Sequence, residues 1–447
     1  MEIDSLNIPL PEDIMKMKWN GQFDMVKKMI DNRIQRDIPQ QLRERLLLEK
    51  DIIDRMIEDF IYTKEEALLI LKKNIKDFKD EEFEELFIEG AFEFIFINGQ
   101  MMFKNNFYEN LTKTRPLYAK RDIHAYEIVS PLDAIIEHIK EKGEMTCKIR
   151  IKVSIQVKEE YERIGEKIRV WLPIPIEYAQ ILAVKIIKTT PKATYINDNH
   201  IAHRSVYFEV PLEHHQEISV EYELINKINY QILEYQKAYQ DDYALYLEEK
   251  PPHILFTPYL KSLAKEIIQD ETNPLIKARK IYDYITTHIM YSYMRPYITL
   301  PCISEYAATS LKGDCGVQAL LFITLCRIAH IPARWQAGLY IGKEGIGNHD
   351  WAMFYVAPYG WLYADCSFGG SAYRAGSSLR HDFYFGHLDP LRIVSASDFQ
   401  CQLVPPMTST RKDPYDHQTG EIEYVDQPLN DNQYITQQEL IDIKALI

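Results

Sequence analysis

After Cys315 the apolar residues Val317, Leu320, Leu321, Leu325 and Ile328 recur at offsets of three and four, with Thr324 on the same stripe. That period defines one buried face of a helix starting at or beside the cysteine, and His330-Ile331-Pro332 ends it. The pattern then changes. Gly342, Gly345 and Gly347 lead to His349, and Trp351 to Val356 has strand composition. Pro358-Tyr359-Gly360 reads as a hairpin turn, and Trp361 to Asp365 returns as the second strand. Any fold for this chain must therefore seat a helix and a hairpin one directly after the other.

The same stretch carries chemistry. With Asp314 as N-cap, Cys315 sits where unpaired backbone N–H groups and the positive end of the helix dipole favour thiolate over thiol. Those N–H groups also suit an oxyanion on an attacked carbonyl. A thiolate nucleophile needs a histidine to hold its proton and return it to the leaving group, and His349 is the candidate. The hairpin brings Asp365 to the same end as His349, where a carboxylate fixes the imidazole tautomer. Taken singly, each residue has a bland reading. A lone cysteine is most often a small buried hydrophobe, which is the expectation for Cys147, Cys302 and Cys326; Cys366, beside Asp365, is the one rival.

Elsewhere the chain reads as three further segments. Residues 1–130 are mainly helical: Leu42, Leu46, Ile53, Met56 and Ile57 fall at helical spacing, and Thr63-Lys64-Glu65-Glu66 fits a capping box. Phe92, Phe94 and Phe96 are compatible with a strand or a buried helix. Residues 145–228 switch to a period of two, with strands expected at Lys148–Val157, Lys167–Leu172, Val184–Lys188, Ser205–Val210 and Glu217–Leu224, an antiparallel sandwich-like domain. His214-His215 is read there as a solvated strand entry. Pro258 and Pro274 open two helices within a core spanning 250–395, and 396–447 forms a C-terminal extension with a hairpin at Glu421–Leu429. His381, His387, Arg334 and Arg374 are given surface, capping or ion-pair roles.

A net charge of -14 argues against nucleic-acid binding, which needs a basic footprint. Six cysteines without a Cys-x-x-Cys pair argue against a disulfide framework or structural zinc, so neither a metal nor a cofactor is expected. No signal peptide and no run of the ~18 apolar residues needed to span a bilayer is visible, so the expected setting is cytoplasmic, with no membrane partner.

The ordered set Gly313-x-Cys315, Leu325-x-Arg327, Ile331-Pro332-Ala333-Arg334, Gly338, His349-x-Trp351, Gly360-Trp361 and Asp365 resembles the transglutaminase-like superfamily over roughly residues 255–370. The resemblance implies an α+β, papain-like core in which a Cys-bearing helix packs on an antiparallel sheet, preceded by the helical and β domains. It implies Cys315 as nucleophile, His349 as base and acid, and Asp365 as its orienter. Trp171-Leu172-Pro173-Ile174-Pro175 is similar to the β domain that precedes this core in many microbial members. Two positions depart: Asp350 stands where a small residue is common, and Cys366 where proline is expected. The leading expectation is a cysteine hydrolase acting on a peptide, protein or small amide through a thioester acyl-enzyme. Acyl transfer to an amine and a non-catalytic binding protein are the alternatives.

Overall fold

The computed structural model describes residues 3–125, 131–342, 345–411 and 414–446, which fall into two compact units. The first comprises Met1–Val129, Lys250–Leu255 and Ile289–Asp314; the second comprises Ser130–Glu249, Phe256–His288 and Cys315–Ile447.

In the first unit, amphipathic helices such as Gln40–Asp59 bury Leu46, Ile53 and Met56. The helix Lys64–Asn74 begins with the expected capping box: Thr63 Oγ1 accepts from the Glu66 N–H at 3.2 Å and the Glu66 carboxylate accepts from the Thr63 N–H at 2.8 Å. The ambiguous phenylalanines resolve as a strand. Phe94–Ile97 and Gln100–Lys104 form a hairpin across Asn98-Gly99, and Phe60–Thr63 completes a three-stranded sheet. The rings of Phe83, Phe92, Phe103 and Phe107 pack edge to face or stacked beside it.

By their contacts residues 289–314 group with this first unit, and Glu93 gives the physical reason. Its side chain is 7% exposed and pairs with Lys312 at 2.7 Å and Arg295 at 3.4 Å, while accepting from the Tyr306 hydroxyl at 3.0 Å. A carboxylate that deep must be paired, and both partners come from the later segment.

The second unit contains the five strands expected from the period-two pattern, as Glu144–Val157, Lys167–Pro173, Ile181–Thr190, Ser205–Pro211 and Glu217–Asn229. They are shared between two four-stranded sheets. Ile149, Ile151, Val153 and Ile155 face inward against Ile168, Val170, Leu172 and Phe208. On the wet face Lys148, Arg150 and Lys152 pair across the ladder with Glu223, Glu221 and Glu217.

The C-terminal segment is not a separate extension. Glu421–Tyr424 pairs with Lys167–Pro173, and Tyr434–Leu446 pairs along Glu144–Val157, so each sheet takes one strand from the tail. Without that tail the long strand Glu144–Val157 would present a row of unpaired N–H and C=O groups. The turn within Glu421–Leu429 is present, closed by Leu429 N–H to the Ile422 carbonyl at 3.3 Å.

The mixed core follows in the same unit. Five antiparallel strands lie in the order Phe385–Gly386, Gly360–Ala364, Gly345–Val356, Ala333–Gly342 and Arg392–Ala396. The helix Cys315–Ile328 packs on the central pair of strands. A single buried face is too narrow a description of it, because every residue from Gly316 to Arg327 is buried. Helices Pro258–Ile268, Pro274–His288 and Cys366–Arg374 cover the sides that the sheet leaves open. Arg327 tolerates burial by donating to the carbonyls of Ala333 at 2.9 Å and Glu248 at 2.6 Å. The sandwich core continues without a break into Leu339, Trp351 and Ile393 of this sheet.

Candidate active site

Cys315 is the first residue of its helix and is half-buried. Its thiol lies 3.4 Å from Asp350 Oδ2 and donates to it. The other Asp350 oxygen accepts from the Gln418 side-chain amide at 2.6 Å, and the same nitrogen donates to the His349 carbonyl at 3.1 Å. The Gln418 carbonyl in turn accepts from Gln438 at 2.9 Å. A residue of the tail and a residue of its final strand thus hold the segment that carries His349.

His349 and Asp365 meet as the hairpin requires. Ala352 is the register partner of Ala364, so both residues lie just beyond the paired end of the two strands. His349 Nε2 is 2.7 Å from Asp365 Oδ2. The second Asp365 oxygen accepts from the Phe368 N–H at 3.1 Å, making it the N-cap of Cys366–Arg374, and from the Ser367 hydroxyl at 3.3 Å. Arg392, 1% exposed, reaches Asp365 Oδ2 at 3.5 Å and Asp389 at 3.2 Å, and its guanidinium lies 3.9 Å from the centre of the Phe368 ring. On the other strand, Gly338 stands opposite His349, and a Cβ there would approach the Ile393 carbonyl oxygen to 1.9 Å. Only glycine fits.

These contacts set the charges. Burial pushes the His349 imidazole down, against the upward pull of Asp365, and leaves it below the ordinary histidine value. Burial alone would raise the Asp365 carboxyl; His349, Arg392 and the Phe368 N–H more than offset it and bring its pKa below the usual value. An ionised Asp365 can only accept, so His349 donates from Nε2 and Nδ1 carries the lone pair.

The remaining cysteines are as the sequence suggested, or nearly so. Cys147, Cys326 and Cys366 are buried and burial pushes all three thiols up. Cys302 is half-buried rather than buried, with its thiol 3.7 Å from the His253 carbonyl. His381 and His387 are tied elsewhere, to Thr286 at 3.0 Å and the Gln231 carbonyl at 2.8 Å. Among the described residues Arg334 forms no ion pair; it donates to the Ser397 carbonyl at 2.7 Å and stacks on Tyr178, Tyr246 and Trp361. A cavity of about 340 Å³ is bordered by Gly347, Asn348, Thr419 and Gln438. A second, of about 440 Å³, lies farther along the hairpin between Tyr178, Gln180, Met353, Trp361 and Tyr363.

Residues 261–366 match the core of the transglutaminase-like superfamily. The chain carries a transglutaminase-like domain. An uncharacterized protein of Haemophilus influenzae is 30% identical over 154 residues, 28% of this chain; the chain spans 40% of that relative's length. Among solved structures, a "Putative Cysteine Protease" from Cytophaga hutchinsonii overlaps 68% of this chain and 91% of its own at 17% identity, with a TM-score of 0.41. The periplasmic domain of TgpA from Pseudomonas aeruginosa overlaps 56% and 96% at 15% identity, with a TM-score of 0.30. The family match, not these overlaps, carries the assignment. Cys315, His349 and Asp365 occupy the transglutaminase-like domain at its helix start, its central strand and the end of the following strand. Arg392 and Gln418 lie outside it. Among the described residues no helix is long and apolar enough to cross a membrane.

Proposed function

We propose that the chain is a cysteine-dependent hydrolase of peptide or other amide bonds, with Cys315 as nucleophile, His349 as base and acid, and Asp365 as orienter of His349. The observation that supports this reading is the 2.7 Å contact between buried His349 and Asp365, which leaves Nδ1 basic; His349 and Asp350 are neighbours on one strand and point to opposite faces, so the reaction requires His349 Nδ1 to come within reach of the thiol that Asp350 holds. The family match supports the reaction class.

In this reading His349 Nδ1 takes the Cys315 proton, and the sulfur attacks the amide carbonyl carbon to give a tetrahedral oxyanion. Backbone N–H groups at the helix start stabilise that oxyanion. Its collapse breaks the C–N bond, and the amine leaves with the proton from His349. The thioester is then resolved by water, which gives a proton to His349 and releases a carboxylic acid and the thiol. Transfer to an amine would share the first half and differ only in the second nucleophile.

The test is incubation with glutamine-containing peptides and a labelled primary amine, followed by mass spectrometry. Hydrolysis predicts free acid, and ammonia or a shorter peptide, without label. Label incorporated into the peptide, and lost in Cys315→Ser, would establish amine transfer instead.

A further inference from the structure

We propose that Glu159, His214 and His215 form a binding site for a divalent transition-metal ion of the zinc, cobalt or nickel class. Adjacent residues in an extended strand point to opposite faces. Here the turn between Ser205–Pro211 and Glu217–Asn229 breaks that rule, because His215 has φ 52°, in the left-handed region that a histidine occupies at a cost. The result is that the two imidazoles lie side by side, with ring centres 3.8 Å apart.

Glu162 holds them there. Its carboxylate accepts from His214 Nδ1 at 2.7 Å and from the His215 backbone N–H at 2.8 Å, and its side chain is only 3% exposed. A covered carboxylate on Nδ1 fixes the tautomer and turns the Nε2 lone pair outward, which is how histidine ligands are oriented around metals. Glu159 arrives from the short 3-10 turn Glu159–Tyr161. One ligand atom each from Glu159, His214 and His215 lie within 4.8 Å of one another. An ion with nitrogen and oxygen ligands at about 2.0–2.2 Å draws them closer than that, and all three side chains are exposed and able to rotate.

Two imidazoles and one carboxylate suit zinc, cobalt or nickel rather than calcium or magnesium, which take oxygen sets. Three protein ligands leave a position for water. The two turns are already tied by Gly165 N–H to the Leu212 carbonyl and Leu212 N–H to the Glu166 carbonyl, both at 2.8 Å. The ion would therefore act as a clip between preformed turns. The sequence reads His214-His215 as a solvated strand entry, and both are exposed just before Glu217–Asn229; Glu162, which orients them, lies 52 residues before His214.

The experiment is a cobalt(II) titration of the full chain, stripped of metal, read by visible d–d absorption and by thermal melting. Expected are one equivalent bound, a higher melting temperature, and both signals lost in His214→Ala/His215→Ala. Glu162→Gln should weaken binding by about 10-fold or more, the usual effect of removing an orienting partner. Cys315→Ser should bind as the parent does. No stoichiometric binding by the parent, undiminished binding by the double variant, or loss of binding in Cys315→Ser would each overturn the proposal. Circular dichroism of the metal-free variants, matching the parent, separates loss of ligands from loss of fold; if the double variant does not fold, the milder Glu159→Gln takes its place and must lower affinity.

Discussion

Asp350 accepts a hydrogen bond from Cys315, with 3.4 Å between Oδ2 and the sulfur. Two opposing influences therefore act on one thiol. The helix start favours thiolate, while a carboxylate in contact with sulfur disfavours it. Asp350 is itself only 5% exposed and is held by Gln418, so its position is built rather than incidental.

Removing the charge should release the thiol. Asp350→Asn keeps an oxygen for the Gln418 amide but not the negative charge, and alkylation of Cys315 by iodoacetamide at pH 7 should speed up by roughly 10-fold, the effect of ~1.4 kcal/mol on the thiolate equilibrium. Rates measured across pH would show the thiol pKa falling. Slower alkylation would mean that Asp350 assists ionisation.

His349→Ala should lower turnover of any amide or ester substrate by about 10²–10⁴-fold, the usual contribution of a positioned acid–base group. Its far-ultraviolet circular dichroism should match the parent. For the parent, burial holds the His349 pKa below the ordinary 6.5, so the acid limb of the rate profile should lie below that pH. An acid limb above 6.5 would assign it to another group.

Arg392 bridges two buried carboxylates, and Arg392→Met should leave Asp365 and Asp389 without their shared counter-charge. Breaking a buried pair from one side costs about 3–5 kcal/mol, which urea denaturation would read as a lower midpoint. A loss under about 1 kcal/mol would mean that solvent reaches the site and screens it.

Acid should unfold the chain through its buried histidines. Burial pushes His253 down to about 3, and also depresses His349 and His417, the last with help from Arg411. Below the ordinary value of about 6.5 the unfolded state binds protons that the folded state refuses. Their stabilisation is present above about pH 6.5 and is lost as pH falls from there toward the folded values. Melting temperature measured from pH 8 to 4 should fall steadily below 6.5, and a flat profile would contradict it.

What the sequence reveals divides by range. The Cys315 helix, the His349–Asp365 hairpin, the five sandwich strands and the Thr63 cap are all local patterns of period or spacing, and each appears where expected. The strand at Phe94 was ambiguous because alternating phenylalanine and isoleucine satisfies both periods. Arg392 and Gln418 were not legible: the first sits in a short strand with ordinary composition, and the second acts on His349 from 69 residues away. The tail strands were hidden for the same reason, since pairing between Tyr434–Leu446 and Glu144–Val157 has no local signature. Asp350 was visible only as a departure from the family pattern, and the structure supplies its partner.

The central claim is that Cys315 is the acyl-accepting thiol, made reactive by its surroundings. The most direct measurement is intact-mass and peptide mapping after brief exposure to a limiting activated acyl ester at neutral pH. The account predicts one acyl group, on Cys315 alone, released by hydroxylamine and sharply reduced in His349→Ala. Comparable labelling of Cys302, Cys315 and Cys401, the three half-buried thiols, would contradict it.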